Sequence, residues 1–136
     1  TKAVQELVNN SEKFSIKRAV LLNVSAPFHC SLMMPAQIKL ENELKEITFN
    51  DPDLPIICNY TAVAENNPLK LKENIINQVT NKVRWKETME YALDKKINKV
   101  LECGSGKVLS GLFKRFSKDF NVYNIETIED LKKFEI

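Results

Sequence analysis

Glycine and proline are scarce in this chain, with three and five among 136 residues. That scarcity excludes collagen-like, linker-rich and low-complexity architectures, whose composition leaves too little apolar surface to offset the entropy of ordering. There are only three cysteines, Cys30, Cys58 and Cys103, with no CxxC pair, and one histidine, His29. A disulfide framework and a zinc site are therefore not expected; a reducing, cytoplasmic setting is. Neither sign of charge prevails, since 20 Lys and Arg stand against 18 Asp and Glu. Electrostatics alone thus point to no nucleic acid and no anionic membrane surface. No apolar run approaches the roughly 18 residues of a membrane span. A GxSxG elbow is missing too: Ser105 lies between Cys103 and Lys107, and Ser110 between Val108 and Leu112, at the glycine positions, so no activated serine is encoded.

What remains is a chain with 43% hydrophobic and 28% charged residues, long enough to bury about two thirds of its unfolded surface. Its first residues, TKAVQELVNN, are neither a basic-then-apolar leader nor a Met start. Ala3, Val4, Leu7 and Val8 fall at helical spacing, so a helix is expected from the outset and the chain reads as a fragment. AVLLNV at 19–24 has the length of a buried strand. Ser31 is placed to cap a helix with Pro35 in its first turn and a stripe of Ala36, Leu40, Leu44 and Ile47 running to about Phe49. After the turn NDPD, the residues PIICN at 55–59 read as a second buried strand.

Leu71, Ile75 and Val79 predict a helix over about 69–79, and Trp85, Met89 and Leu93 another. KVLECGSGKVLSGLFKRF at 99–116 is a strand to Cys103, a Gly-Ser-Gly turn, and a helix with Val108, Leu109, Leu112, Phe113 and Phe116 on one face. NVYNI at 121–125 is a strand, and Thr127 with Asp130 forms a capping box for a last short helix. Strands alternating with helices predict an α/β fold with a largely parallel sheet.

Few residues carry chemistry. His29 follows an apolar strand and precedes a helix, where sites collect in open α/β sheets, although a lone histidine is also compatible with a packed or solvated role. Cys30 beside it makes a poor dyad partner, because adjacent side chains point apart. The GSGK turn at 104–107 could cradle an anion on helix N–H groups. Leu101 and Val108, however, stand where a phosphate loop needs Gly and Ser or Thr, which favours a plain turn. Glu41, Glu43 and Glu46 read as a solvated face.

Taken in order, three segments resemble the C-terminal half of malonyl-CoA:acyl carrier protein transacylases. The pattern V-S-x-P-x-H-x-x-L-M-x-P-A is matched by Val24, Ser25, Pro27, His29, Leu32, Met33, Pro35 and Ala36. Q-x-x-x-P-V-x-W is met by Gln78, Val83 and Trp85, with Lys82 in place of the proline. E-x-G-P-G-K-V-L-x-G-L is met by Glu102, Gly104, Gly106, Lys107, Val108, Leu109, Gly111 and Leu112, with Ser105 in place of the proline.

The resemblance implies an α/β-hydrolase-like acyltransferase domain carrying an inserted ferredoxin-like subdomain. Residues 1–23 would be the last helix and strand of the insert, and 24–136 the C-terminal part of the large domain. It implies His29 as the general base, Gln78 as the residue whose main-chain carbonyl holds the imidazole, and a nucleophilic serine in a missing N-terminal half. It implies malonyl-CoA and acyl carrier protein as partners, with no cofactor or metal, in fatty-acid biosynthesis. Phe28 precedes His29, and a Phe-His pair resembles the malonyl-selecting pattern of related polyketide-synthase domains. Two other readings stand beside this one: a non-catalytic anion-binding module, and an inactive remnant.

Overall fold

The computed structural model describes residues 2–21, 24 and 26–134. Helix α1 spans Lys2–Asn9, followed by a 3₁₀ turn at Ser11–Phe14. No strand forms over the described part of 19–24: Ala19, Val20, Leu21 and Val24 have no regular structure, and Val20 and Leu21 are exposed. The remaining two residues of that predicted strand lie outside the described residues. The apolar run alone does not suffice, because a strand needs a ladder partner and the described residues supply none here.

A 3₁₀ turn at Ser31–Met33 leads into α2, Met34–Leu44, with Pro35 in its first turn. Ser31 is inside that turn and not a cap; Met33 occupies the N-cap without a side-chain bond. The helix stops at Leu44, short of Phe49. The chain tightens there, with Lys45 N–H donating to Asn42 O and Ile47 N–H to Leu44 O. The Lys72 ammonium donates to the carbonyls of Lys45 and Ile47 at 3.5 and 3.1 Å, which satisfies carbonyls that a continuing helix would have bonded.

PIICN shortens to β1, Ile56–Ile57, which pairs antiparallel with β2, Ala64–Glu65. Among the described residues parallel pairing is thus confined to the second half of the chain, and Ile56 is exposed while Cys58 is buried. Helix α3, Pro68–Asn77, starts on the Asn67 side chain, whose Oδ1 accepts from the N–H groups of Leu69 and Lys70. Pro68 fits the first turn because it lacks the N–H that the helix could not use.

Helix α4 spans Trp85–Asp94. Strand β3, Lys99–Cys103, the Gly104–Gly106 turn, α5, Val108–Phe116, and β4, Asn121–Ile125, follow as predicted, with β3 and β4 parallel in the register Lys99↔Asn121 to Cys103↔Ile125. Gly104 and Gly106 have φ of +132° and +82°, a region closed to most side chains. The Asn124 side-chain amide donates to the carbonyls of Glu102 and Gly106 at 3.3 and 2.8 Å and pins the turn to β4. Helix α6, Ile128–Lys133, opens on the predicted box: Asp130 N–H donates to the Thr127 hydroxyl oxygen, and Thr127 N–H to the Asp130 carboxylate.

The core lies where α4 and α5 cover one face of β3 and β4. Met89, Ala92, Phe113 and Phe120 are buried there, with Trp85, Leu93, Val100, Phe116 and Val122 packed against them. Phe113 meets Trp85 and Phe120 edge-on, at centroid distances of 5.7 and 4.8 Å.

Candidate active site

His29 lies in the turn before α2 and has φ of +59°. A non-glycine residue rarely takes that conformation, and such residues concentrate where the surrounding structure must aim a side chain. The turn is closed by Phe28 N–H donating to Ala26 O and Met33 N–H to Cys30 O. The Cys30 thiol donates to Pro27 O at 3.1 Å, so it is engaged with its own loop and forms no dyad with the imidazole.

The left-handed turn brings the imidazole to a residue 49 positions away: Nδ1 is 2.8 Å from the main-chain oxygen of Gln78. A carbonyl oxygen only accepts, so Nδ1 carries the proton, and the neutral ring keeps its lone pair on Nε2. The carbonyl is free because Gln78 is the C-cap of α3, where helix carbonyls have no partner in the helix. The C-terminal end of a helix also favours positive charge. His29 is exposed, so Nε2 can meet a second group.

Gln78 is held in turn. Its N–H donates to Asn74 O, and the Asn81 amide takes up the neighbouring carbonyl of Asn77 at 2.8 Å. The Thr80 hydroxyl reaches across to the Gln37 side chain on α2. Phe28 stands beside His29 with 53% of its surface exposed, so it is not a core residue of the described chain.

The GSGK turn takes no part in this site, and its helix end is already filled. The Glu102 carboxylate accepts from the N–H groups of Leu109 and Ser110 at 3.0 and 2.8 Å. Ser110, with those two N–H groups, holds the Glu102 carboxyl below its ordinary range. A carboxylate occupying the amides at the start of α5 repels a second anion, which removes the basis for an anion-binding module there. Glu41, Glu43 and Glu46 are exposed, as a solvated face requires. Among the described residues no group of three or more His, Cys, Asp or Glu side chains is placed to hold a metal ion.

Sequence reasoning overlooked Asn67 as the cap of α3, although Asn-Pro at a helix start is a readable signal. It also missed the Glu102 bond to α5 and the Thr80–Gln37 bond, which join residues with no local pattern to reveal them.

No family model matches the chain. Among curated proteins, it is 32% identical over 129 residues to the malonyl CoA-acyl carrier protein transacylase of Staphylococcus aureus (strain COL), covering 95% of this chain and 42% of that protein. Against the protein of the same name from Escherichia coli (strain K12), identity is 42% over 99 residues, 73% of this chain and 32% of that one. The crystal structure of acyl-carrier-protein-S-malonyltransferase from Bartonella henselae superposes with a TM-score of 0.88 at 39% identity, over 97% of this chain and 42% of that one. Fold and likeness together define part of an α/β acyltransferase domain. Over 95% of its length the chain is similar to a malonyl CoA-acyl carrier protein transacylase. It spans about two fifths of the length of the first relative named.

Proposed function

We propose that the chain is the C-terminal part of an acyltransferase that moves the malonyl group from malonyl-CoA to the thiol of acyl carrier protein in fatty-acid biosynthesis. The observation that carries this reading is the His29 Nδ1–H bond to the Gln78 carbonyl, which leaves Nε2 as a base of fixed orientation. A backbone carbonyl here does the orienting work that a carboxylate does in a Ser-His-Asp triad.

His29 Nε2 would take the proton of a serine hydroxyl supplied by the missing N-terminal half as that oxygen attacks the malonyl thioester. The same proton goes to the departing CoA sulfur, giving a malonyl-serine ester and free CoA thiol. The imidazole then takes the carrier-protein thiol proton as that sulfur attacks the ester, and it returns the proton to the serine oxygen. Gln78 contributes through its backbone, so its side chain is dispensable. Phe28 is the specificity residue in this reading, its ring placed against the α-carbon of the acyl group.

Residues 1–23 are assigned to the end of an inserted ferredoxin-like subdomain and 24–136 to the large domain, in a cytoplasmic enzyme. Leu32, Leu54, Leu69 and Val108 are each more than 70% exposed, which supports a missing half that covers apolar surface. No helix among the described residues is long and apolar enough to cross a membrane.

The test has two arms. This chain mixed with malonyl-CoA should show no malonyl adduct by intact-mass spectrometry, because it carries no elbow serine; a stoichiometric adduct on Ser105 or Ser110 overturns the assignment. In the longer polypeptide that supplies the serine, His29→Ala should slow malonyl transfer by about 10²–10⁴-fold or more. Near-normal transfer removes His29 from its role.

A further inference from the structure

The imidazole and its acceptor are carried by separate elements, and their mutual position needs an explanation. His29 is tied to α2 through the short 3₁₀ turn Ser31–Met33. Gln78 belongs to the end of α3 and to the irregular residues 78–81 that follow. A bond between an exposed imidazole and a backbone carbonyl is a weak tether on its own, because both groups exchange it for bonds to water.

A second connection closes the frame. The Thr80 hydroxyl, two residues after Gln78, donates to Gln37 Oε1, eight residues after His29. That hydroxyl also lies 3.4 Å from the Asn81 side-chain nitrogen, which donates to it and to Asn77 O. The result is a chain of bonds from the Asn77 carbonyl at the end of α3, through Asn81 and Thr80, to Gln37 in the first turn of α2. Gln37, Thr80 and Asn81 are half-buried, whereas His29 is exposed. The screened end of the frame is therefore the Thr80–Gln37 bond, and the solvated end is the bond that chemistry needs. Elsewhere α2 and α3 are joined by Lys72 at the far end of α2, where its ammonium bonds Lys45 and Ile47.

We propose that Thr80 and Gln37 are positioning residues: their side-chain bond clamps the 78–81 segment onto α2 and so holds the Gln78 carbonyl on His29 Nδ1. The inference rests on the proposed role of His29, and it adds that the imidazole tautomer is set two bonds away, by side chains that touch neither substrate nor imidazole. Loss of the Thr80 hydroxyl lets residues 78–81 drift. The carbonyl then leaves Nδ1, and the neutral ring is free to carry its proton on either nitrogen.

Because His29 is the only histidine, one ¹⁵N spectrum of the chain reports its tautomer without assignment ambiguity. With the neutral ring observed at high pH, the parent chain is expected to show Nδ1–H as the major form. Thr80→Val, which keeps the shape and removes the donor, should shift the population to a mixture with Nε2–H at least equal. Thr80→Ser should restore the parent spectrum, an outcome that a purely steric role of the threonine methyl would not give. Gln37→Met removes the bond from the other side and should reproduce the valine result, also if Thr80→Val fails to fold. A parent Nδ1–H ring left unmoved by Thr80→Val or Gln37→Met overturns this inference alone. A parent ring already mainly Nε2–H overturns the His29–Gln78 pairing, and this inference with it.

Discussion

Phe113 links Trp85 of α4 and Phe120 within the buried cluster, and its removal measures that core. It is 7% exposed on α5 and meets Trp85 of α4 and Phe120 before β4, both edge-on. A buried aromatic side chain removes about 150–250 Å² from water, which at about 25 cal/mol per Å² is about 4–6 kcal/mol. A compact unfolded chain hides part of that area already, by roughly 10–40%, and the remainder agrees with the about 3–5 kcal/mol measured when buried phenylalanines become alanine. Phe113→Ala should therefore cost about 4 kcal/mol, most of the stability of a domain at the low end of the usual range of about 5–15 kcal/mol. Phe113→Leu keeps most of the burial and loses the two edge-on pairs, each contributing about 0.5–1.5 kcal/mol. Its cost should be about half as large. Trp85 is the only tryptophan and is in contact with the ring, so its fluorescence follows the event under study. With a urea slope of about 2 kcal/mol per M, the midpoint should fall by about 2 M for alanine and 1 M for leucine. Leu69→Ala, at a position 75% exposed, should shift it by less than about 0.3 M, as surface changes usually stay within about 0.5 kcal/mol. A midpoint for Phe113→Ala within 0.5 M of the parent, on the same urea slope, would refute the assignment of the core to this cluster.

Acid should weaken the fold through a small set of carboxyls. Glu87 is lowered from 4.5 to about 2 by its own backbone N–H and by Arg84 and Lys82, while Glu102, Asp130 and Glu65 are also lowered, chiefly by Ser110, the Thr127 side chain and Asn67 N–H respectively. A depressed carboxyl binds its proton more readily in the unfolded chain, so its contribution is complete above about 4.5 and, for Glu87, is lost as pH falls toward about 2. Urea midpoints should hold from pH 7 to 5 and drop steadily below, with a shallower drop in Glu87→Gln; a flat profile between pH 5 and 3 contradicts the folded-state bonds. Substrate choice tests Phe28: in the longer polypeptide, Phe28→Ser should raise kcat/KM for methylmalonyl-CoA relative to malonyl-CoA by roughly 10–200-fold, the range for one methylene in an apolar pocket. An unchanged ratio removes Phe28 from substrate selection.

The second half of the chain was legible because its signals are local. The periodicity of 99–116, the glycine pair at the turn and the Thr127–Asp130 box each lie within one element or its edge, and the parallel β3–β4 pair follows from the intervening helix. The first half failed where an element depends on what lies beside it. AVLLNV has the composition of a strand, but Ala19, Val20 and Leu21 are outside any ladder among the described residues. The α2 stripe continued in sequence to Ile47, yet the helix ended three residues earlier, and Lys72 of α3 takes up the carbonyls of Lys45 and Ile47 just beyond that end. That interaction crosses 25–27 positions and leaves no trace in periodicity.

The site divides along the same line. His29 could be picked out as the lone histidine just before a predicted helix, but its conformation, φ of +59°, could not. Gln78 is the harder case. Its part in the site is played by the carbonyl that every residue possesses, so no property of glutamine marks it, and only resemblance singled it out. What makes that carbonyl available is its position at the end of α3, and that end is fixed by the turn of 78–81 and by the reach of Thr80 to Gln37. A backbone acceptor cannot be mutated away, and it cannot be improved by changing its own side chain. Control over it passes to the residues that place the segment. For this chain that argument predicts an inverted pattern of sensitivity, in which Gln78→Ala leaves the His29 tautomer unchanged while Thr80→Val, two residues further on, alters it.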